Sequence, residues 1–465
     1  MAKSMTKDMT VGTPYRLILR FTLPILCGSL FQQLYNMADA VIVGRYLGIR
    51  ALSSVGASSS LIFLIIGFCT GMCTGFAIPA AQSLGAGKLS QMRKFAFNSF
   101  YLSGIFAVVI TVVTAVFCRD ILILIRTPES ILKGAWDYLF VIFLGIPFTI
   151  LYNLLASILR ALGDSKSPFL FLTAAAVINI GLDLLFITVF DWGVMGAAIA
   201  TITSQAVSGV LCIQCIVRKF PELKADSEER KPAKRHMLKL LNLGLPMGLQ
   251  TSITAIGSIM LQSAVNHLGE VSVASYTAAL KIKYLFLSVF EAVGTAMATY
   301  VGQNLGAGRL DRIREGVRSA ILIQCIYAVA AAIVLHLGGR YIAMLFVDGA
   351  ETEVLDNVQM FLNISSMFYI TLGVLWVLRS AIQGMGYGKS AIFSGVSEMV
   401  ARTAMSLFFI PQMMFLGVCW TDQIAWMAAD LFLIPAYLFI MYRRGGFRKK
   451  IPAAQNGKVP ADGKK

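Results

Sequence analysis

The sequence predicts an all-α polytopic membrane protein: twelve transmembrane helices in two six-helix bundles, related by a pseudo-two-fold axis along the membrane normal. Three observations predict it. Apolar runs of about 20 residues, long enough to cross a hydrocarbon core, recur along the whole chain. Of 465 residues, 57% are hydrophobic and only 14% charged, where a soluble protein carries about 25% charged residues. Finally, landmarks of the first half return in the second at a nearly constant offset.

The spans are placed at about 14–46, 51–80, 94–117, 135–157, 167–190, 193–217, 237–267, 274–303, 316–338, 356–381, 390–411 and 417–442. This divides the chain into an N-terminal bundle (1–217), a linker (218–236), a C-terminal bundle (237–442) and a basic tail (443–465) expected to be disordered. Lys3, Lys7, Arg16 and Arg20 precede the first apolar run, which is too long for a signal peptide and lacks a small-residue cleavage site, so it reads as a retained span. The net charge of +16 concentrates in the even-numbered loops and the tail, among them Lys88, Arg93, Arg218, Lys219, Arg309, Arg312, Arg448, Lys449 and Lys450. Odd-numbered loops hold only Arg45, Arg50, Arg119, Arg126, Lys133 and Arg340. By the positive-inside rule both termini are cytoplasmic. The charge is thus an orientation signal in a plasma-membrane (cell inner membrane) protein, and no nucleic-acid partner is implied.

The repeat has three carriers. Leu23-Pro24 returns as Leu245-Pro246, and Gln82–Gly87 returns as Gln303–Gly308. Arg160…Gly163…Lys166-Ser167 returns as Arg379…Gly386…Lys389-Ser390. Six spans per half place both halves in the same orientation, with a cavity expected between them. In the second span Gly67, Gly71 and Gly75 lie four residues apart, a stripe for close helix packing.

No Walker A motif, His-Glu-x-x-His or Gly-x-Ser-x-Gly occurs, and His236, His267 and His336 sit near loop ends. An enzyme and a cofactor are therefore not expected. The eight cysteines read as small buried apolar residues; Cys212 and Cys215 have no second pair nearby.

The chemistry lies in charges inside spans: Asp39, Asp183, Lys281, Lys283, Glu291, Glu398, Arg402 and Asp430. Such groups are costly at bilayer depth and are kept for a partner or a task. Glu398 and Arg402, at i and i+4, form an expected ion pair. Lys281, Glu291 and Asp430 could face the cavity or pair with a neighbour. Asp39, Asn179, Asp183 and Thr201 offer hard oxygen ligands suited to Na⁺. They suit H⁺ equally, because neighbouring carboxylates in low dielectric do not both ionise cheaply; the plainer alternative is polar residues holding helices together. Pro24, in the same span as Asp39, removes a backbone hydrogen bond and marks a hinge. Substrate-cavity candidates are Gln33, Tyr35, Asn36, Tyr152, Asn153, Met260 and Tyr284. Phe31, Met37, Phe148, Met367 and Tyr369 complete an expected aromatic and methionine-rich wall, although such residues more often simply pack.

The chain resembles the multidrug and toxic compound extrusion (MATE) family of antiporters over about 14–442. The carriers are Leu23-Pro24, Gln33-x-Tyr35-Asn36-x-x-Asp39, the two Gln…Gly loops, Arg160–Ser167 and Asn179-x-x-x-Asp183. The resemblance implies a V of two bundles and secondary active export of amphipathic, often cationic organic compounds in exchange for Na⁺ or H⁺. It also implies a cation site in the N-terminal bundle at Asp39, Asn179, Asp183 and Thr201. Another branch uses acids of the seventh and tenth spans; here the seventh offers Gln250, Gln262 and Asn266, and the tenth has no buried acid. The expected partners are small organic substrates and the lipid bilayer, with the protein acting as a monomer. The rival readings are a flippase or exporter of a lipid-linked or metabolite substrate, a membrane-embedded enzyme and a channel.

Overall fold

The computed structural model describes residues 8–125, 127–347 and 350–446. Lys3, Lys7, Arg126 and the tail beyond Gly446, with Arg448, Lys449 and Lys450, lie outside the described residues. The first six helices are Pro14–Leu47 (α1), Ile49–Gly85 (α2), Leu89–Val116 (α3), Glu129–Leu144 with Ile146–Ala161 (α4), Lys166–Leu184 (α5) and Gly193–Lys219 (α6). The second six are Lys234–Asn266 (α7), Glu270–Gly306 (α8), Leu310–Ala343 (α9), Thr352–Met367 with Tyr369–Gly384 (α10), Gly388–Ala404 (α11) and Phe415–Arg443 (α12). Among the described residues, eight helices are long and apolar enough to cross a membrane, or ten counting α4 and α10 as single bent spans. α7 and α11 complete the twelve. Their polar side chains, such as Gln250, Glu398 and Arg402, are buried against neighbouring helices rather than exposed to lipid.

Two spans, placed at 135–157 and 356–381 from the sequence, are bent. α4 bends by 48° at Gly145, and α10 by 52° at Phe368. The first bend has a local cause: Pro147 lacks the N–H that would continue the ladder. Gly145 also presses on α6, where an added Cβ would sit 2.3 Å from Ile202 Cγ1. The second has no proline; Phe368 there packs edge-on against Trp420 of α12 at 5.4 Å.

Among the described residues two large hydrophobic cores form. One gathers Ile42, Met72, Phe143, Ile158 and Cys212; the other gathers Phe290, Tyr300, Leu335, Phe361 and Trp426. The leading helix of each half bridges both. Ile18 and Phe21 of α1 lie in the second core while its Ile42 and Val43 lie in the first. Leu240 of α7 lies in the first core while its Leu261 and Val265 lie in the second. Pro24 and Pro246 fall between the two anchored ends of their helices, which run unbroken through both prolines.

The halves converge along α2, and its glycines measure the approach. An added Cβ on Gly56 would meet nothing within 4 Å. On Gly67 it would lie 3.0 Å from Thr251, on Gly71 2.7 Å from the Met247 carbonyl, and on Gly75 2.6 Å from Gly244 Cα. On Gly85 it would lie 1.9 Å from the Gln303 carbonyl, and on Gly306 1.9 Å from the Gln82 carbonyl. The recurring Gln…Gly loops therefore cross backbone to backbone, at the end where Met9 and Arg444 pack. Gln82 Nε2 donates to the Gly384 carbonyl (2.9 Å), and Gln303 Nε2 to the Ala161 carbonyl (2.9 Å). The third carrier of the repeat needs correction. Gly163 (φ +86°) and Gly386 (φ +92°) are equivalent left-handed turns, which aligns Arg160 with Gln383; Arg379 lies one helical turn earlier.

Straps tie this end. The Met9 N–H donates to Gln303 Oε1 (2.9 Å), and Arg312 donates to the Gly12 carbonyl (2.9 Å). The linker packs on α3 through the Arg93–Glu229 ion pair (2.6 Å), which holds the Glu229 carboxyl down at about 2. Ala233 N–H caps Asn98 Oδ1 (2.8 Å).

Gly85→Ala is expected to destabilise the protein by about 1–3 kcal/mol through overpacking, while Gly56→Ala is neutral. Thermal unfolding of the two variants in detergent checks this; equal melting temperatures would contradict the crossing.

Candidate functional site

Where the halves diverge they enclose a cavity of ≈ 750 Å³. α1 contributes Gln32, Tyr35, Asn36 and Asp39, which share a face at helical spacing. α2 adds Phe63, Gly67, Thr70, Gly71 and Thr74, and α6 adds Thr201 and Gln205. The second half supplies Met247, Gln250 and Thr251 from α7, Glu291 and Thr295 from α8, and Trp376, Arg379, Ser380 and Gln383 from α10.

Four of the expected residues line this space: Tyr35, Asn36, Asp39 and Thr201. Asp183 and Asn179 lie just behind it on α5, 0% and 1% exposed. The carboxyls of Asp39 and Asp183 are within electrostatic reach of each other, and Tyr35 and Tyr138 lie within reach of both. Asp39 Oδ1, both oxygens of Asp183 and both amide atoms of Asn179 are buried with no hydrogen-bond partner. Buried polar atoms are normally satisfied, so a cluster of five orphans marks a seat for something small and polar. Among the described residues no group of three or more His, Cys, Asp or Glu converges. Two carboxyls plus neutral oxygens suit a small hard cation or a proton, and lack the soft ligands of a transition-metal site.

The other expected cavity residues lie elsewhere. Gln33, Tyr152, Asn153, Met260 and Tyr284 are not in the wall. Tyr152 is buried in the first core, Asn153 donates back to the Thr149 carbonyl (2.8 Å), and Tyr284 lies 47% exposed beside the Asp422 and Arg402 charges. Phe31 packs on Phe169 (6.1 Å) and Tyr369 on Phe290 (5.4 Å); Met37, Phe148 and Met367 are exposed on the outer surface of the helices. The wall mixes Thr, Ser, Gln and Gly with aliphatic Leu52, Val55, Ile62, Ile66, Ile142 and Ile202; Tyr35, Tyr138, Phe63 and Trp376 are its aromatic part and Met247 its methionine.

The expected Glu398–Arg402 pair forms at 3.5 Å inside a larger network. Glu398 also pairs with Arg379, and Arg379 Nε donates to Ser394 Oγ (3.1 Å). Arg402 Nε donates to Asp422 Oδ1 (2.8 Å), and Asp422 also pairs with Lys283. All five charged groups are 3–6% exposed. Sequence reasoning missed Asp422 and Arg379. Asp430 lies within reach of Arg379 and Glu398, and Lys281 stands over the Phe346 ring at 5.8 Å.

The two halves are equivalent in backbone here and opposite in chemistry. α5 passes from Asp183 into a π-helical turn at Leu185–Val189, and α11 passes from Arg402 into one at Met405–Phe409. By the π-helical turns Asp183 matches Thr403, one residue from Arg402; Asn179 and Asp183 are orphaned, whereas Glu398 and Arg402 nearby are paired.

A twelve-helix, two-bundle fold around a central cavity is the frame of a membrane transporter. The MatE family model matches residues 24–185 and 246–408, so the chain belongs to the MATE family of transporters. It is 29% identical to the probable multidrug resistance protein YpnP of Bacillus subtilis (strain 168), covering 82% of this chain and 84% of that protein. It is 27% identical to the probable multidrug resistance protein YoeA of the same organism, covering 94% and 96%. In fold it is similar to the outward-facing conformation of a multidrug resistance MATE family transporter, with a TM-score of 0.88 over 96% of this chain and 100% of that one, at 23% identity.

Asp422→Asn would leave Lys283 and Arg402 short of a counter-charge and is expected to cost about 3–5 kcal/mol. Denaturation of the purified variant checks this; wild-type stability would contradict it.

Proposed function

We propose that this protein is a secondary active multidrug exporter that exchanges amphipathic, often cationic organic compounds for Na⁺ or H⁺ across the plasma membrane, with both termini cytoplasmic. The observation that carries the reading is the pair of facing carboxyls, Asp39 at the cavity wall and Asp183 behind it, which among the described residues receive no hydrogen bond from any other group. A cation arriving through the open end would be held by Asp39, Asp183, Asn179 and Thr201. The fully paired network at the equivalent place in the second half supports putting the coupling site in the first. The names of YpnP and YoeA support the drug-export reading.

Coupling follows from α1. It carries Asp39 and Tyr35 into the cavity, while its first turns are anchored in the second core. A cation that draws Asp39 towards α5 pulls on a helix held at both ends, and Pro24 is the place where that helix can yield. A ligand shifts a conformational equilibrium only through unequal affinity for the two states. The cation does so by changing the face of α1 that meets the substrate.

Asp39→Asn and Asp183→Asn are each expected to abolish dye efflux from proteoliposomes energised with a Na⁺ or pH gradient, with the protein still folded and inserted. Full efflux in either variant would overturn the site. Pro24→Ala is expected to slow turnover more than it weakens cation binding; unchanged turnover would remove the hinge.

A further inference from the structure

We propose that Glu291 is the cavity's anchor for the positive charge of an organic cation, with aromatic surface from Trp376 and Tyr35 beside it. The proposal rests on the exporter reading and names one contact within it. Glu291, Thr295 and Ala298 follow one face of α8, and all three line the cavity. Glu291 is open to that space although protein surrounds it on all sides. Among the described residues its carboxylate forms no hydrogen bond or ion pair within the protein; its charged neighbour within electrostatic reach is Arg160 of the other half.

The other charges at the wall are accounted for. Arg379 is held by Glu398 and Ser394, and Asp39 faces Asp183. Among the described residues Glu291 is the second half's carboxylate in the cavity wall, and the charge that faces it is Arg160 rather than a hydrogen-bonded ion pair; such a group at bilayer depth is kept for a partner or a ligand. Its surroundings fit a bulky cation. Gly294, three residues after Glu291 on α8, lets the helix approach α10 so closely that an added Cβ would meet Trp376 Cε3 at 3.0 Å. Trp376 and Glu291 line the same cavity, a charge-plus-aromatic combination suited to quaternary ammonium and phosphonium groups.

Arg160 adds a consequence. Its guanidinium is steadied by Ser157 (2.8 Å) and attracts Glu291 across the interface between the halves. A bound organic cation takes over from Arg160 and weakens one of the attractions that hold the halves together at the closed end.

The test measures affinities of the purified full-length protein in detergent for tetraphenylphosphonium and for neutral triphenylphosphine oxide. In Glu291→Gln the affinity for the cation is expected to fall by about 10-fold or more, with the neutral compound unchanged; Glu291→Asp is expected to retain most of the cation affinity. Matched melting profiles confirm folding. Equal cation affinity in wild type and Glu291→Gln would overturn the assignment, as would an equal loss for both compounds, which marks shape rather than charge. The exporter reading fails separately, if wild type binds the cation but moves none in energised proteoliposomes. Wild type that binds neither compound would overturn both.

Discussion

The backbone crossing of α2 and α8 is the constraint on which the rest depends. Glycines at 85 and 306 let two helices from different bundles meet with no side chain between them. The contact fixes one end of the V and leaves the other end free. It also carries no side-chain interlock: each helix presents a smooth backbone surface, reinforced by the amides of Gln82 and Gln303. Such a junction can hold the halves together in one state and release them in another without repacking either core. The cavity follows directly from it, as the wedge that opens from Gly75 towards Gly56.

Symmetry of the fold is broken at the level of charge. The two halves repeat their leading prolines, their crossing loops and even the π-helical turns of α5 and α11. Yet the second half fills its polar interior with its own cations, Lys283, Arg379 and Arg402, against Asp422 and Glu398. That network makes the second bundle a rigid partner, because each charge is held by at least one other. The first half leaves Asp39, Asn179 and Asp183 with unmet hydrogen-bonding capacity. In the mechanism proposed above, one bundle serves as a stator and the other as the element whose internal energy depends on a bound ion. α1 joins them, since its two ends belong to different cores.

Much of this was legible in the sequence, and the reasons differ by element. The spans follow from apolar length, and the crossing loops from the Gln…Gly repeat. Asp39 and Asp183 stood out because carboxylates inside apolar runs are rare. The Glu398–Arg402 pair was readable because its members lie one turn apart. Its extension was not: Asp422 and Lys283 are 139 residues apart, and Arg379 was masked by its place in a repeat that in fact aligns Arg160 with Gln383. The cavity wall was misread for a different reason. In a membrane the outer surface of a bundle is as apolar as its core, so aromatic and methionine residues such as Phe148 and Met367 carry no information about which way they face. The polar residues do, and Thr70, Thr74, Thr201, Gln205 and Ser380 were the better guide.

Competition between ion and substrate through α1 is the centre of this mechanism. The most direct measurement is the affinity of the purified protein for tetraphenylphosphonium, titrated against Na⁺ at fixed pH and against pH at fixed Na⁺, in wild type and in Asp183→Asn. Affinity is expected to fall as one of the two cations rises, and the variant is expected to lose that dependence. Wild-type affinity indifferent to both cations, or the same dependence in the variant, would contradict it.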